Sequence, residues 1–365
     1  VKHVVIPLLL VILTLNRLQA QDHIAVDVKI DPRFEALSIF YFLALKDSLD
    51  ADERPSPSVY YKAVKQHFGP YDAHPALMWY RKLSNWDGYD MPSLGIFLSD
   101  TPVLKPVAKM EFSYVKNGTT LQVLLDKVNT FYKDSRAGEF MQEQKGRYKK
   151  VEADGKAAIV NSGILRDVQA FYGNHQVKRV VIFPDLLNNI GNNAIPLQDG
   201  KYKEACMMRI GYITDSTDNL TDDSMVRFSP PLNVIAHECS HVFLHDFLVR
   251  YRSRLFAVRR IFLESADGEK YEEQEWENEM EELLVRACVA GILARRDGVV
   301  AGEMECSGQA RKYRYMPGLY ELLGKYAAER NKYHTIQEFY PRIMAWFEQL
   351  AATTSAGLSG QRRRS

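Results

Sequence analysis

Residues 231–245 read PLNVIAHECSHVFLH. His237 and His241 are four residues apart, a spacing that puts two side chains on one helix face about 5–6 Å from each other. Two imidazoles so placed can aim at one point, as a tetrahedral zinc ion requires. Glu238 is turned about 100° from His237 around the helix. It is poorly set to bind the same ion but well set to reach a water beside it, which is the position of a general base. From the composition of this chain, an HExxH pattern arises by chance with a probability on the order of one in a hundred. Ser229 as N-cap and Pro230 in the first turn predict a helix that begins near 230 and runs to about Arg252. Leu232, Ile235, Val242, Phe243 and Leu248 supply its buried face.

A catalytic zinc usually has three protein ligands and one open position. His245 is the nearest further donor. It lies eight residues past His237, about 12 Å along a helix, and the spacing lacks the glycine and reach of HExxHxxGxxH. His245 is therefore expected to be packed, or to sit behind a ligand. Downstream, residues 272–295 predict a second strong helix. Within it Glu282 borders the apolar half and forms an i,i+4 pair with Arg286, which can hold its carboxylate in one rotamer. Glu279, one turn earlier on the same face, is the fallback. Two antiparallel helices carrying His237, His241 and Glu282 would complete a His₂Glu set for one Zn2+.

Working outward, 178–183 (KRVVIF) and 205–214 (ACMMRIGYIT) predict strands, the first ending at Pro184. The turn-rich run from Asn188 to Asn193 lies between them. The segment from Val180 to Ala194 offers an edge along which an extended peptide can pair, or an ordinary surface loop. Helices are expected at 32–48, 57–67, 75–84, 119–133, 138–152, 317–330 and 336–352. Helices, a few strands, then helices describe a predominantly helical α+β protein. The expected division is a leader at 1–20, an N-terminal mainly helical region at 21–170, a catalytic region at 171–352 and a flexible basic tail at 353–365.

The 365 residues are 46% apolar and 25% charged, which excludes a disordered chain, a collagen-like repeat and a small disulfide scaffold. The formal charge of +1 offers no electrostatic case for a nucleic-acid partner. Lys2 and His3, the apolar run from Val4 to Leu15 and a polar exit to Ala20 have the layout of a secretory signal peptide. The apolar run is too short for the roughly 20 residues of a spanning helix. The mature protein is expected to be soluble in an extracytoplasmic space, with no stable membrane span. Cys206, Cys239, Cys288 and Cys306 fit no known disulfide framework or zinc ribbon, so buried thiols and a bridge stand level. Arg250, Arg252, Arg254, Arg259 and Arg260, followed by acids from Glu264 to Glu282, read as two complementary surface segments.

These residues resemble the gluzincin type of zinc peptidase. More closely, the chain is similar to a family of secreted bacterial zincins catalogued as a domain of unknown function. The resemblance rests on 31–38 (DPRFEALS), His74-Pro75-Ala76, the loop from Asn188 to Ala194, His237 to His241 with Phe243 behind it, and Glu282 to Ala287. It implies a zincin-like core with His237, His241 and Glu282 as zinc ligands and Glu238 as the catalytic base. Cys239 stands where members more often have an aromatic residue; at about 200° from His237 it should face the core. The expected activity is hydrolysis of peptide or protein substrates. The alternatives are a silent zincin-like scaffold, or a zinc hydrolase of non-peptide amides or esters. Such sites commonly use a second oxyanion donor, for which Tyr333, His334 and Tyr340 are candidates only by lying downstream.

Overall fold

The structure is a computed structural model that describes residues 24–362 apart from 50–53, 84–87, 109–118, 174–176, 189–190, 196–204, 212–218, 227 and 229–230. The leader expected at 1–20 and the cap expected at Ser229 and Pro230 lie outside the described residues. No helix among the described residues is long and apolar enough to cross a membrane.

Helix α1 (Pro32–Leu45) sits at the centre and is apolar nearly all round, as a helix enclosed on every side must be. Asp31 caps it by accepting from the Arg33 backbone N–H. The same carboxylate takes the Arg33 guanidinium at 2.9 and 2.8 Å, and Arg33 also donates to the Leu98 carbonyl. Glu35 is enclosed on the next turn and accepts from the Tyr60 hydroxyl. Burial, with the nearby charge of Asp185, raises its pKa well above the usual carboxylate range.

Helices α2 (Val59–Phe68), α3 (Pro75–Arg81), α4 (Leu121–Asp134) and α5 (Ala137–Ser162) share the core with α1, and α6 (Ile164–Tyr172) follows α5 and packs against the C-terminal half. Helix α5 continues ten residues past the expected end, until Gly163 stops it with φ of 73°. Gly155 lets this helix lie close to the sheet, because a Cβ there would meet Phe228 Cδ1 at 2.4 Å and Val28 Cγ1 at 3.3 Å.

The sheet is small and mixed. Its strands are β1 (Ala25–Val28), β2 (Arg179–Asp185), β3 (Asn193–Ile195) and β4 (Ala205–Gly211), in the order β1-β2-β4-β3. β1, β2 and β4 are parallel, and β3 runs antiparallel to β4 at the edge. Strand β2 passes through Pro184 rather than ending at it. Ile182, two residues before, faces β1 and accepts from Lys29 N. Pro184 points the same way, beyond the end of β1, so its missing N–H breaks no ladder bond.

The C-terminal half comprises α7 (Leu232–Val258), α8 (Trp276–Asp297), α9 (Val299–Gln309), α10 (Met316–Ala328) and α11 (Ile336–Arg362). Helix α11 runs to Arg362, ten residues past the helix end expected at 352. One contiguous core runs from β1 to α11 and includes residues on both sides of position 170. The region expected to be mainly helical thus also supplies a strand of the same sheet. The architecture is predominantly helical α+β.

The Asp31–Arg33 pair sets a pH dependence. Burial alone would raise the Asp31 pKa, but hydrogen bonds and charge from Arg33 and Lys29 outweigh it and bring it to about 2. The unfolded value is about 3.9, so the stabilisation is complete above that pH and is lost as pH falls through about 2. Asp31→Ala is expected to cost about 3 kcal/mol at pH 7 by removing a cap and stranding a buried guanidinium. Urea midpoints at pH 7, 4 and 2 check this: the difference between wild type and variant should shrink toward the acid end.

Candidate metal centre

The spacing of His237 and His241 becomes geometry on α7. Their imidazoles project from one face, with ring centroids 4.9 Å apart and Nε2 atoms 3.2 Å apart. Helix α8 runs antiparallel to α7, and ion pairs between Arg252 and Glu277 at 3.0 Å and between Arg259 and Glu273 at 2.5 Å tie the two segments together. This is the complementarity of basic and acidic runs expected from the sequence. The antiparallel seating brings Glu282 Oε1 to 3.6 Å from His237 Nε2 and 3.4 Å from His241 Nε2.

Three donor atoms therefore form a nearly equilateral triangle with edges of 3.2, 3.4 and 3.6 Å. A tetrahedral ion with bonds of about 2.0–2.1 Å needs donors about 3.3 Å apart, so the triangle fits such an ion. Among the described residues, this is the group of three metal-capable side chains whose donor atoms all lie within 4.8 Å of each other. The side chains of His237, His241 and Glu282 are 16%, 20% and 18% exposed. The triangle thus opens toward solvent on one side instead of closing inside the core.

Two of the three donors, His241 and Glu282, are held from behind. His241 Nδ1 lies 2.8 Å from Glu281 Oε1, which leaves Nε2 turned to the triangle. Glu282 Oε2 lies 2.7 Å from Arg286 Nη2, the i,i+4 pair expected from the sequence. Gln309 accepts from Arg286 at 2.9 Å and fixes it in turn. Burial opposes charge on His241, but Glu281 and Glu282 overcome it and lift its pKa to about 10. Glu282 is also penalised by burial, yet His237, His241 and Arg286 drive it far below the usual carboxylate range. The field at the triangle favours a cation.

Glu238 is buried between α7 and the edge of the sheet, at 4% exposure. Burial raises its pKa; the two histidines and a hydrogen bond from the Ala194 backbone N–H lower it, and Glu282 adds to the rise. Strand β3 carries Ala194, and a buried polar network fixes that strand. Arg209 on β4 pairs with Asp185 at 2.8 Å and donates to Ser93 at 3.1 Å and Asn193 at 3.2 Å, while Ser38 on α1 donates to Asp185 at 2.5 Å. Gly191 is required beside it, since a Cβ there would lie 2.1 Å from Asn188 Nδ2.

The structure brings His237, Glu238, His241 and Glu282 together. Glu279 stays outside the triangle, buried and 3.7 Å from Lys312. His245 is exposed on the following turn of α7, neither packed nor behind a ligand. Tyr333, His334 and Tyr340 do not reach the site. Tyr340 is buried and donates to the Phe243 carbonyl, Tyr333 packs on Phe339, and the backbone of His334 bonds to Glu338 and Arg330. Tyr313 is the tyrosine beside the triangle, with the Arg286 guanidinium 5.3 Å from its ring centroid. Neither Tyr313 nor Glu281 is marked by spacing from the histidines. Only the position of Glu281 beside Glu282 on an amphipathic helix hints at it.

Residues 42–346 match the family model described as Domain of unknown function (DUF4932). No curated protein and no solved structure matches the chain. The matched span contains all four residues of the site and most of the core, and the chain belongs to the DUF4932 family.

Proposed function

We propose that this protein is an extracytoplasmic zinc-dependent peptidase of the gluzincin type, with His237, His241 and Glu282 as the ligands of one zinc ion. The observation that carries the reading is the donor triangle, sized for a tetrahedral ion and open on one side. Two nitrogens and one carboxylate oxygen are a donor set that suits zinc. The zincin-like core is supported by the antiparallel edge strand β3 lying against the HExxH helix at Ala194 and Glu238. The leader read in residues 1–20 supports the location.

A bound zinc would supply a water of lowered pKa and polarisation of the substrate carbonyl. Glu238 takes the proton of the attacking water and passes it to the leaving amine. Its burial suits this exchange, because a raised pKa narrows the gap between the carboxylate and the groups it serves. Glu281 holds the His241 ring so that Nε2 stays a ligand. Arg286 balances the second oxygen of Glu282 and keeps the carboxylate in one orientation. Strand β3 offers its outer edge, unpaired among the described strands, to an extended peptide backbone. That edge favours a peptide over a small amide or ester.

Purified protein is expected to hold about one zinc per chain by elemental analysis. Glu238→Gln should keep the metal and lose at least about 100-fold in kcat on an unfolded protein substrate. Zinc-replete wild type that cleaves nothing across a broad peptide library would sink the peptidase reading, and turnover confined to small amides or esters would replace it. Glu281→Gln should weaken zinc binding by about 10- to 100-fold, measured by competition with a chromophoric chelator, with little change in the folded content of the far-UV spectrum.

A further inference from the structure

Two of the four cysteines face each other. Cys206 is on β4 and Cys239 on α7, and their sulfurs are 3.6 Å apart. Both are fully enclosed, at 0% and 1% exposure. Cys239 is turned about 200° from His237 around the helix, away from the donor triangle and onto the sheet. The proposed catalysis uses neither thiol. Cys288 and Cys306, also buried and free, provide internal comparisons. The nearest group that raises the Cys206 pKa is the Cys239 thiol itself, followed by burial and the charges of Cys239 and Glu238.

We propose that Cys206 and Cys239 become a disulfide when the chain folds in the presence of a small oxidising disulfide such as oxidised glutathione. A bond of about 2.05 Å needs the sulfurs to close by about 1.5 Å from their separation here, within the reach of side-chain rotation and a slight approach of helix to strand. In the first step one cysteine thiolate attacks a sulfur of the small disulfide. This forms a mixed disulfide and expels one glutathione thiolate. The second cysteine thiolate then attacks the protein sulfur of that mixed disulfide, forms the Sγ–Sγ bond and expels the second glutathione thiolate. Two protein thiols are oxidised, one small disulfide is reduced to two thiols, and the two cysteine protons end on the leaving thiolates.

Burial dictates the timing. In the folded state the sulfurs are out of reach of any external disulfide, and Cys206 is held as the thiol. The exchange therefore takes place before α7 seats on β4. The bond joins the helix that carries His237, Glu238 and His241 to the strand that pairs with β3. It links two residues 33 positions apart in sequence.

The test uses the full chain and needs no substrate or metal. Denatured, reduced protein is refolded in a mixture of reduced and oxidised glutathione, blocked with an alkylating agent in denaturant, and mapped by mass spectrometry without reduction. The expected product has the Cys206 and Cys239 peptides linked and Cys288 and Cys306 alkylated. Its urea midpoint should lie above that of the same protein refolded with reductant. Reduced protein that is already folded should stay reduced in the same mixture. The double variant Cys288→Ala, Cys306→Ala should still form the link, and Cys239→Ala should form none. Four alkylated cysteines after refolding, or a link through Cys288 or Cys306, would overturn the proposal.

Discussion

Glu282 must sit between two imidazoles without closing the core over them, and much of the C-terminal half serves that requirement. A carboxylate at 18% exposure is costly unless its charge is answered. Arg286 answers it on one oxygen, and the histidines answer it on the other. A second acid, Glu281, stands immediately beside it and adds negative charge rather than relieving it. Two carboxylates and two imidazoles at this density are a poor arrangement for stability and a good one for a divalent cation. The packing of α7 on α8, with its flanking Arg–Glu pairs, bears the cost of holding them.

A second buried charge pair does comparable work on the other side of the helix. Arg209 and Asp185 are 1% and 3% exposed, deep in the sheet. Removing either would leave an unanswered charge in a low-dielectric interior. Their further hydrogen bonds include those with Ser38, Ser93, Asn193 and the Leu187 backbone N–H, drawn from separate parts of the chain. A three-residue edge strand has few ladder bonds of its own, so β3 owes its position to this network as much as to its pairing with β4. Through Ala194, that position also reaches Glu238.

The legible parts of the sequence were those where one physical period dominates. Four-residue spacing placed His237 and His241, and the same spacing linked Glu282 to Arg286. Long apolar helices such as α1 and α7 were visible, and so were the β-branched run of β2 and the apolar run of β4. The short strands were not. Val26 and Val28 alternate over only four residues, and Asn193 to Ile195 is too brief to carry any period. Helix α6 was hidden because it fills nine residues between two glycines, and α9 because its exposed face carries Val299, Val300 and Met304, which blur an amphipathic pattern. Glu281 and Tyr313 acquire meaning only when α8 docks, since their partners are distant in sequence.

The parallel pairing of β1 with β2 has a consequence for how the molecule comes into being. Ala25 meets Arg179, so the first strand waits for a partner made about 150 residues later. At a synthesis rate of about 5–20 residues per second, that interval is roughly 8 to 30 seconds. Throughout it, Val26 and Val28 have no sheet to join, and the donor triangle between α7 and α8 is further still from completion. A chain emerging N-terminus first is thus kept from premature closure by its own topology. The delay exposes apolar segments of the growing chain to any holding factor that meets them on the way.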